Sequence, residues 1–223
     1  MRRYTVKVSR ISSLEGQATY LSSPVPIPFN EGQFFLFSGP QSDTSYPKIT
    51  IFPVKVDLRN LLVVDKLVQN LYPGDLCELL GPFGKGFEIP RGRNKILLIS
   101  DSTTPTLVLA LSNSYSTPPN EAYLYHPDLP NQAEQFTRHK SISQELIPEK
   151  LQWADICLIE TDNSAPEQLI ELVAGHDKNR ALKVQILIRK SMPCHSFGNC
   201  GLCGIVLSGK KYLLCKDGPV IHT

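Results

Sequence analysis

The chain has 223 residues, 41% of them hydrophobic, and 23 Lys and Arg against 21 Asp and Glu leave a formal charge of +2. Its 14 glycines and 18 prolines stay well below the roughly 25–30% of low-complexity chains, so a packed core is expected, in one large unit or two small ones. No basic block exceeds a pair, which argues against nucleic acid as a partner. No run approaches the roughly 18 apolar residues of a membrane span, and the amino terminus lacks the apolar stretch of a secretory signal, so a cytoplasmic protein is expected.

Residues 1–91 read as short β segments separated by turns. Tyr4–Ser9 alternates, Gly32–Phe37 is aromatic, and Lys48–Val56 and Leu61–Val64 are β-branched or apolar, a pattern that fits a small antiparallel barrel. Tyr72-Pro73-Gly74-Asp75 predicts a turn into a strand from Leu76, which ends at Gly81-Pro82-Phe83-Gly84-Lys85-Gly86-Phe87. Cys77 on that strand reads as a small buried apolar residue.

Beyond the hinge Arg91-Gly92-Arg93-Asn94 the pattern changes. Over 92–190, fully apolar strands at Lys95–Ser100, Glu121–Tyr125, Ala154–Glu160 and Lys183–Ile188 alternate with helical stretches, the mark of a parallel sheet. Thr104-Pro105 starts a helix that runs to about Ser112, and Ser164-Ala165-Pro166-Glu167 is a capping box for another that ends near Gly175. Trp153 and Tyr72 read as packing residues, Cys157 as an inert buried thiol, and His126, His139, His176 and His222 as surface residues without metal spacing. No Ser, His and acid form a nucleophile motif, so hydrolysis is not expected.

The third part, 191–223, holds four of the six cysteines: Cys194, Cys200, Cys203 and Cys215. In a reducing compartment such crowding points to thiolates on a metal. A Cys-x2-Cys pair presents two thiolates to one centre, and Gly198, Gly201 and Gly204 let amides turn toward sulfur. The spacing is one residue longer in its first gap than the plant-type [2Fe-2S] pattern. A four-cysteine zinc site is the rival reading, and His195 is an alternative first ligand to Cys194.

Gly-Pro-Phe-Gly-Lys-Gly-Phe at 81–87, Met-Pro-Cys at 192–194, Cys-Gly-Leu-Cys at 200–203 and Cys-Lys-Asp-Gly-Pro-Val at 215–220 together resemble the electron-transfer subunit of dihydroorotate dehydrogenase. The resemblance implies a flavin-binding β-barrel, a ferredoxin-reductase-like α/β nucleotide domain and a small carboxy-terminal [2Fe-2S] segment, in that order. It implies Cys194, Cys200, Cys203 and Cys215 as cluster ligands, an FMN-containing catalytic partner that oxidises dihydroorotate for pyrimidine biosynthesis, and electrons passing through the cluster to FAD and then to an acceptor, usually NAD. For FAD it points to Lys48, Ile49 and Thr50, where the family's arginine is absent, and to Gly81 and Gly84.

Two phosphate loops depart from the family pattern. Val64-Asp65-Lys66-Leu67-Val68 stands where a glycine-rich phosphate loop is expected. Ser100-Asp101-Ser102-Thr103-Thr104-Pro105 replaces the glycine turn after the first strand of the second domain, so NAD(P) binding is not expected. The alternatives are a non-catalytic structural or regulatory partner with a zinc or cluster clip, or the reductase subunit of another iron–sulfur oxidoreductase.

Overall fold

A computed structural model describes residues 2–12, 18–40, 49–64, 71–90, 94–102, 111, 121–127, 140–162, 171, 173, 182–192, 198, 200–207 and 209–222. The amino-terminal part is one antiparallel sheet of seven strands: β1 (Arg2–Ser12), β2 (Ala18–Ser22), β3 (Phe34–Ser38), β4 (Ile49–Ile51), β5 (Val54–Lys55), β6 (Asn60–Val64) and β7 (Leu76–Phe83), in the spatial order β4-β3-β7-β1-β2-β6-β5. β4 and β5 occupy opposite edges, yet only Phe52 and Pro53 separate them in the chain. Residues in extended chain span about 3.3–3.6 Å each, so the two edges must come close together and the sheet must curl into a barrel. The turn read at Tyr72–Asp75 is present. Its Asp75 carboxylate accepts the Tyr72 amide at 2.8 Å, and Tyr72 itself stands 70% exposed, so it caps a turn and does not pack as its apolar ring suggested.

The run Phe34-Phe35-Leu36-Phe37 shows no polar alternation because β3 is buried on both faces. Phe35 and Phe37 join Tyr4, Val6 and Val8 inside the barrel, while Phe34 and Leu36 share a second core with the following sheet.

That second sheet runs β10-β9-β8-β11-β12-β15, from β8 (Lys95–Ser100), β9 (Glu121–Tyr125), β10 (Lys140–Ser141), β11 (Ile156–Thr161), β12 (Lys183–Ile188) and β15 (Val220–His222). β8 to β12 are parallel and β15 adds antiparallel to β12. Every residue of β11 is buried, as a central parallel strand covered on both faces requires. A short helix, α1 (Ile147–Trp153), leads into β11, and its Trp153 ring meets Tyr123 edge-on at 4.9 Å. The helix read from Thr104 to about Ser112 lies outside the described residues except for helical Leu111, and the capping-box helix except for helical Glu171 and Val173. Among the described residues no helix is long and apolar enough to cross a membrane.

The cysteine tail folds as a hairpin, β13 (Gly204–Leu207) and β14 (Lys210–Leu213), followed by one helical turn, α2 (Leu214–Asp217), and then β15. Strand pairing between β15 and β12 therefore stitches the tail into the parallel sheet.

Candidate functional site

The motifs of the glycine turn and of the carboxy terminus are far apart in sequence and in contact in space. The Lys85 amide donates to the Gly218 carbonyl at 2.7 Å, and Gln33 Nε2 donates to the Gly84 carbonyl at 2.7 Å. Gly84 has φ +73°, and a Cβ there would lie 2.3 Å from the Gly218 oxygen and 2.4 Å from Pro219 Cδ. At Gly81 a Cβ would meet the Phe35 ring at 2.7 Å. The space beside both glycines is filled by the protein's own chain, which accounts for their lack of side chains.

One hydrogen-bonded amide finishes this clasp. Gln185, 2% exposed in β12, accepts the Glu88 amide at 2.8 Å and donates to the Glu88 carbonyl at 2.7 Å, as a neighbouring strand would.

Two of the four cysteines meet at the helical turn that leads into Gly218. Cys203 and Cys215 are both buried, and the Cys215 amide donates to Cys203 Sγ at 3.5 Å. The Leu214 amide donates to the Cys203 carbonyl at 3.2 Å, and the Asp217 carboxylate accepts the Leu213 amide at 2.8 Å, which fixes the turn that carries Cys215. Gly201 takes φ +71°, so the loop reverses before Cys203 as the glycine spacing suggested. Cys200 is exposed, Leu202 beside it is 61% exposed, and Cys194 and His195 lie outside the described residues. Among the described residues no three His, Cys, Asp or Glu side chains are gathered tightly enough to hold a metal ion. The Cys203–Cys215 pair fits a thiolate centre, since its backbone already directs an N–H at sulfur.

On the barrel side, Ile49 is half-buried, Thr50 is 6% exposed, and Lys48 lies outside the described residues. The Thr50 hydroxyl accepts the Met192 amide at 2.8 Å. A hydroxyl that accepts still has its own hydrogen to donate, so Thr50 fits a role toward a flavin while bound to the tail. Asp65 to Val68 also lie outside the described residues.

In a doubly wound sheet, ligands bind outside the carboxyl ends of the strands where the strand order reverses, which here is between β8 and β11. Side chains from four strand ends converge there. Ser102 Oγ donates to Asp162 Oδ1 at 2.9 Å and accepts from Arg189 at 3.1 Å, and His126 Nε2 lies 2.9 Å from the Ser102 carbonyl. Arg189 pairs with Glu160 at 3.8 Å, both side chains buried, and its guanidinium lies 5.4 Å from the centre of the Phe52 ring, on the barrel. Ser102 itself is buried, whereas Asp101 is exposed.

The sequence reading missed this network and placed His126 on the surface. Two signals were available: an acid, Glu160, next to the end of the otherwise largely apolar β11, and an arginine directly after β12.

Comparison with known proteins follows the same lines. No family model matches the chain. Over 217 residues it is 26% identical to the electron transfer subunit of dihydroorotate dehydrogenase B (NAD(+)) from Clostridium perfringens, covering 86% of this chain and 85% of that protein. An NADH-dependent reduced ferredoxin-NADP oxidoreductase aligns at TM-score 0.70 and 15% identity, over 97% of this chain and 87% of that one. Ferredoxin-NADP+ reductase from Plasmodium falciparum aligns at TM-score 0.54 and 12% identity, over 82% and 96%. The chain has the ferredoxin-reductase-like fold, a curled antiparallel sheet followed by an α/β sheet, and is a divergent relative of the electron-transfer subunit that its motifs resemble.

Proposed function

We propose that this divergent relative is itself an electron-transfer subunit. Electrons from an FMN-containing partner that oxidises dihydroorotate would enter at Cys194, Cys200, Cys203 and Cys215, reach FAD beside Thr50, and leave to an acceptor other than NAD(P). In this reading residues 1–91 form the flavin-side barrel, 92–190 the nucleotide-type domain and 191–223 the cluster segment, in a cytoplasmic hetero-oligomer.

The observation that carries the reading is the amide of Cys215 directed at the sulfur of Cys203. Hydrogen bonds to sulfur tune an iron–sulfur centre. A [2Fe-2S] cluster would supply one-electron transfer, while the chain's own residues supply the turn, the amide donor and the buried apolar shell of Ile205, Leu207 and Leu214. The case against NAD(P) rests on the crevice between β8 and β11, where Ser102, Asp162 and Arg189 are bonded to one another and the two carboxylates, Glu160 and Asp162, would oppose a pyrophosphate.

Anaerobic purification with iron, sulfide, zinc and flavin analysis tests this. Visible absorbance and a paramagnetic signal on reduction, both lost in Cys203→Ser, are expected. A colourless, zinc-loaded protein would overturn it.

The crevice network also favours a second reading, a non-catalytic partner that steadies a flavoenzyme. It requires that Cys203→Ser leave turnover with the partner unchanged.

A further inference from the structure

We infer that Thr50 is a positioning residue that locks the cysteine hairpin to the flavin-side strand; this rests on the electron-transfer reading above. Thr50 sits on β4 at the barrel edge, and the amide it accepts belongs to Met192, 142 residues away in sequence. Both residues are buried, Met192 completely. The Met192 side chain lies in the same core as Cys203, Ile205, Leu207, Leu214 and Cys215. Two residues upstream, Lys190 Nζ donates to the Gly204 carbonyl at 3.2 Å, at the first residue of β13.

The segment entering the cysteine region is thus held at two points, one on the barrel and one on the hairpin. Backbone polar groups that are buried must find partners, and no strand neighbour serves the Met192 amide, so a single side-chain oxygen does. That oxygen belongs to the residue that the resemblance assigns to flavin contact. The hydroxyl accepts from the tail and has its hydrogen free to donate, which makes one atom common to the barrel's ligand-facing edge and the cysteine hairpin. Removing it unlatches Met192 and, through the neighbouring Lys190–Gly204 bond, loosens the hairpin that follows Cys203 without touching any sulfur.

The test compares the full chain as wild type, Thr50→Val, Thr50→Ala and Thr50→Ser. In metal-free protein, hydrogen exchange of the peptide carrying Met192 and iodoacetamide labelling of Cys203 are followed. After anaerobic incubation with iron and sulfide, the paramagnetic signal of the reduced protein and its decay in air are recorded.

Both the valine and the alanine variants are expected to exchange and label at least fivefold faster, and to show an altered, shorter-lived signal. The serine variant, which keeps the acceptor, returns every readout to the wild-type value. Wild-type rates in the valine and alanine variants, no rescue by serine, or faster exchange with an unchanged signal would each overturn the lock. Wild-type protein that takes up no iron and sulfide sinks the electron-transfer reading instead, and exchange and labelling then still decide the lock.

Discussion

The glycine turn at 81–87 and the crevice between β8 and β11 are both places where this architecture brings backbone close to something else, and they are filled differently. At the turn, backbone meets backbone: Gly84 lies against Gly218 and Pro219 with no room for a methyl group. At the crevice, side chains meet: a serine, two carboxylates and an arginine from three strand ends hold one another. The first arrangement needs particular glycines and is readable as a motif. The second needs only complementary charge at scattered positions, so it leaves no local signature. Motif retention and site retention are therefore separate questions in this chain, and each region can be broken on its own terms.

The largest effect is expected in the crevice. Arg189 and Glu160 are a buried pair, and removing one partner of such a pair costs about 3–5 kcal/mol because the other charge is stranded. Arg189→Met should lower stability by about that much in urea denaturation, and adding Glu160→Gln should recover a large part of the loss. If the double variant is as unstable as the single one, charge is not what closes the crevice. Gly84→Ala comes next. Overpacking costs about 1–3 kcal/mol and a non-glycine residue at positive φ adds to it, so a melting temperature lowered by several degrees is expected. A wild-type melting temperature would show that the clasp is loose.

A smaller loss isolates the linker. Gln185→Leu leaves the amide and carbonyl of exposed Glu88 without their side-chain partner, at about 0.5–1.5 kcal/mol for each hydrogen bond lost beside solvent. Hydrogen exchange at Glu88 should rise with it. Exchange unchanged at Glu88 would mean that the clasp holds the linker without help from β12.

How much of this was legible follows from the range of the signals. The strands at 95–100, 121–125 and 183–188 were read within a residue or two, the first and last because parallel strands buried on both faces are continuous apolar runs. β2, β10 and the strand status of Val220–His222 went unread: the first two are short and polar in part, and β15 gains its place only from pairing with β12. In the candidate site, the Cys-x2-Cys spacing and the glycine-rich turn were visible, whereas Thr50 meeting Met192 across 142 residues was not, since nothing local marks either as the other's partner.

The smallest expected effect separates the strands that support the two regions. Cys157 lies on β11 beneath the crevice and Cys77 on β7, the strand that runs into the glycine turn. Burial pushes the Cys157 thiol up to about 12; burial, with Asp75 nearby, pushes Cys77 up to about 11. A raised value means that the folded chain holds the proton more tightly than the unfolded chain does. The thiol's contribution to stability is therefore complete below the unfolded value near 9.0 and is lost as pH rises through the folded one. Cys157→Ala should cost stability at pH 8 through the lost packing, and that deficit should narrow as the pH is taken to 10.5, because only the wild type has a thiol at this position to ionise on unfolding. Cys77→Ala should show the same narrowing over that range, because its folded value also lies above 10.5. Denaturant midpoints measured across that range check both, and a Cys157 deficit that stays constant with pH would mean that water reaches the strand beneath the crevice.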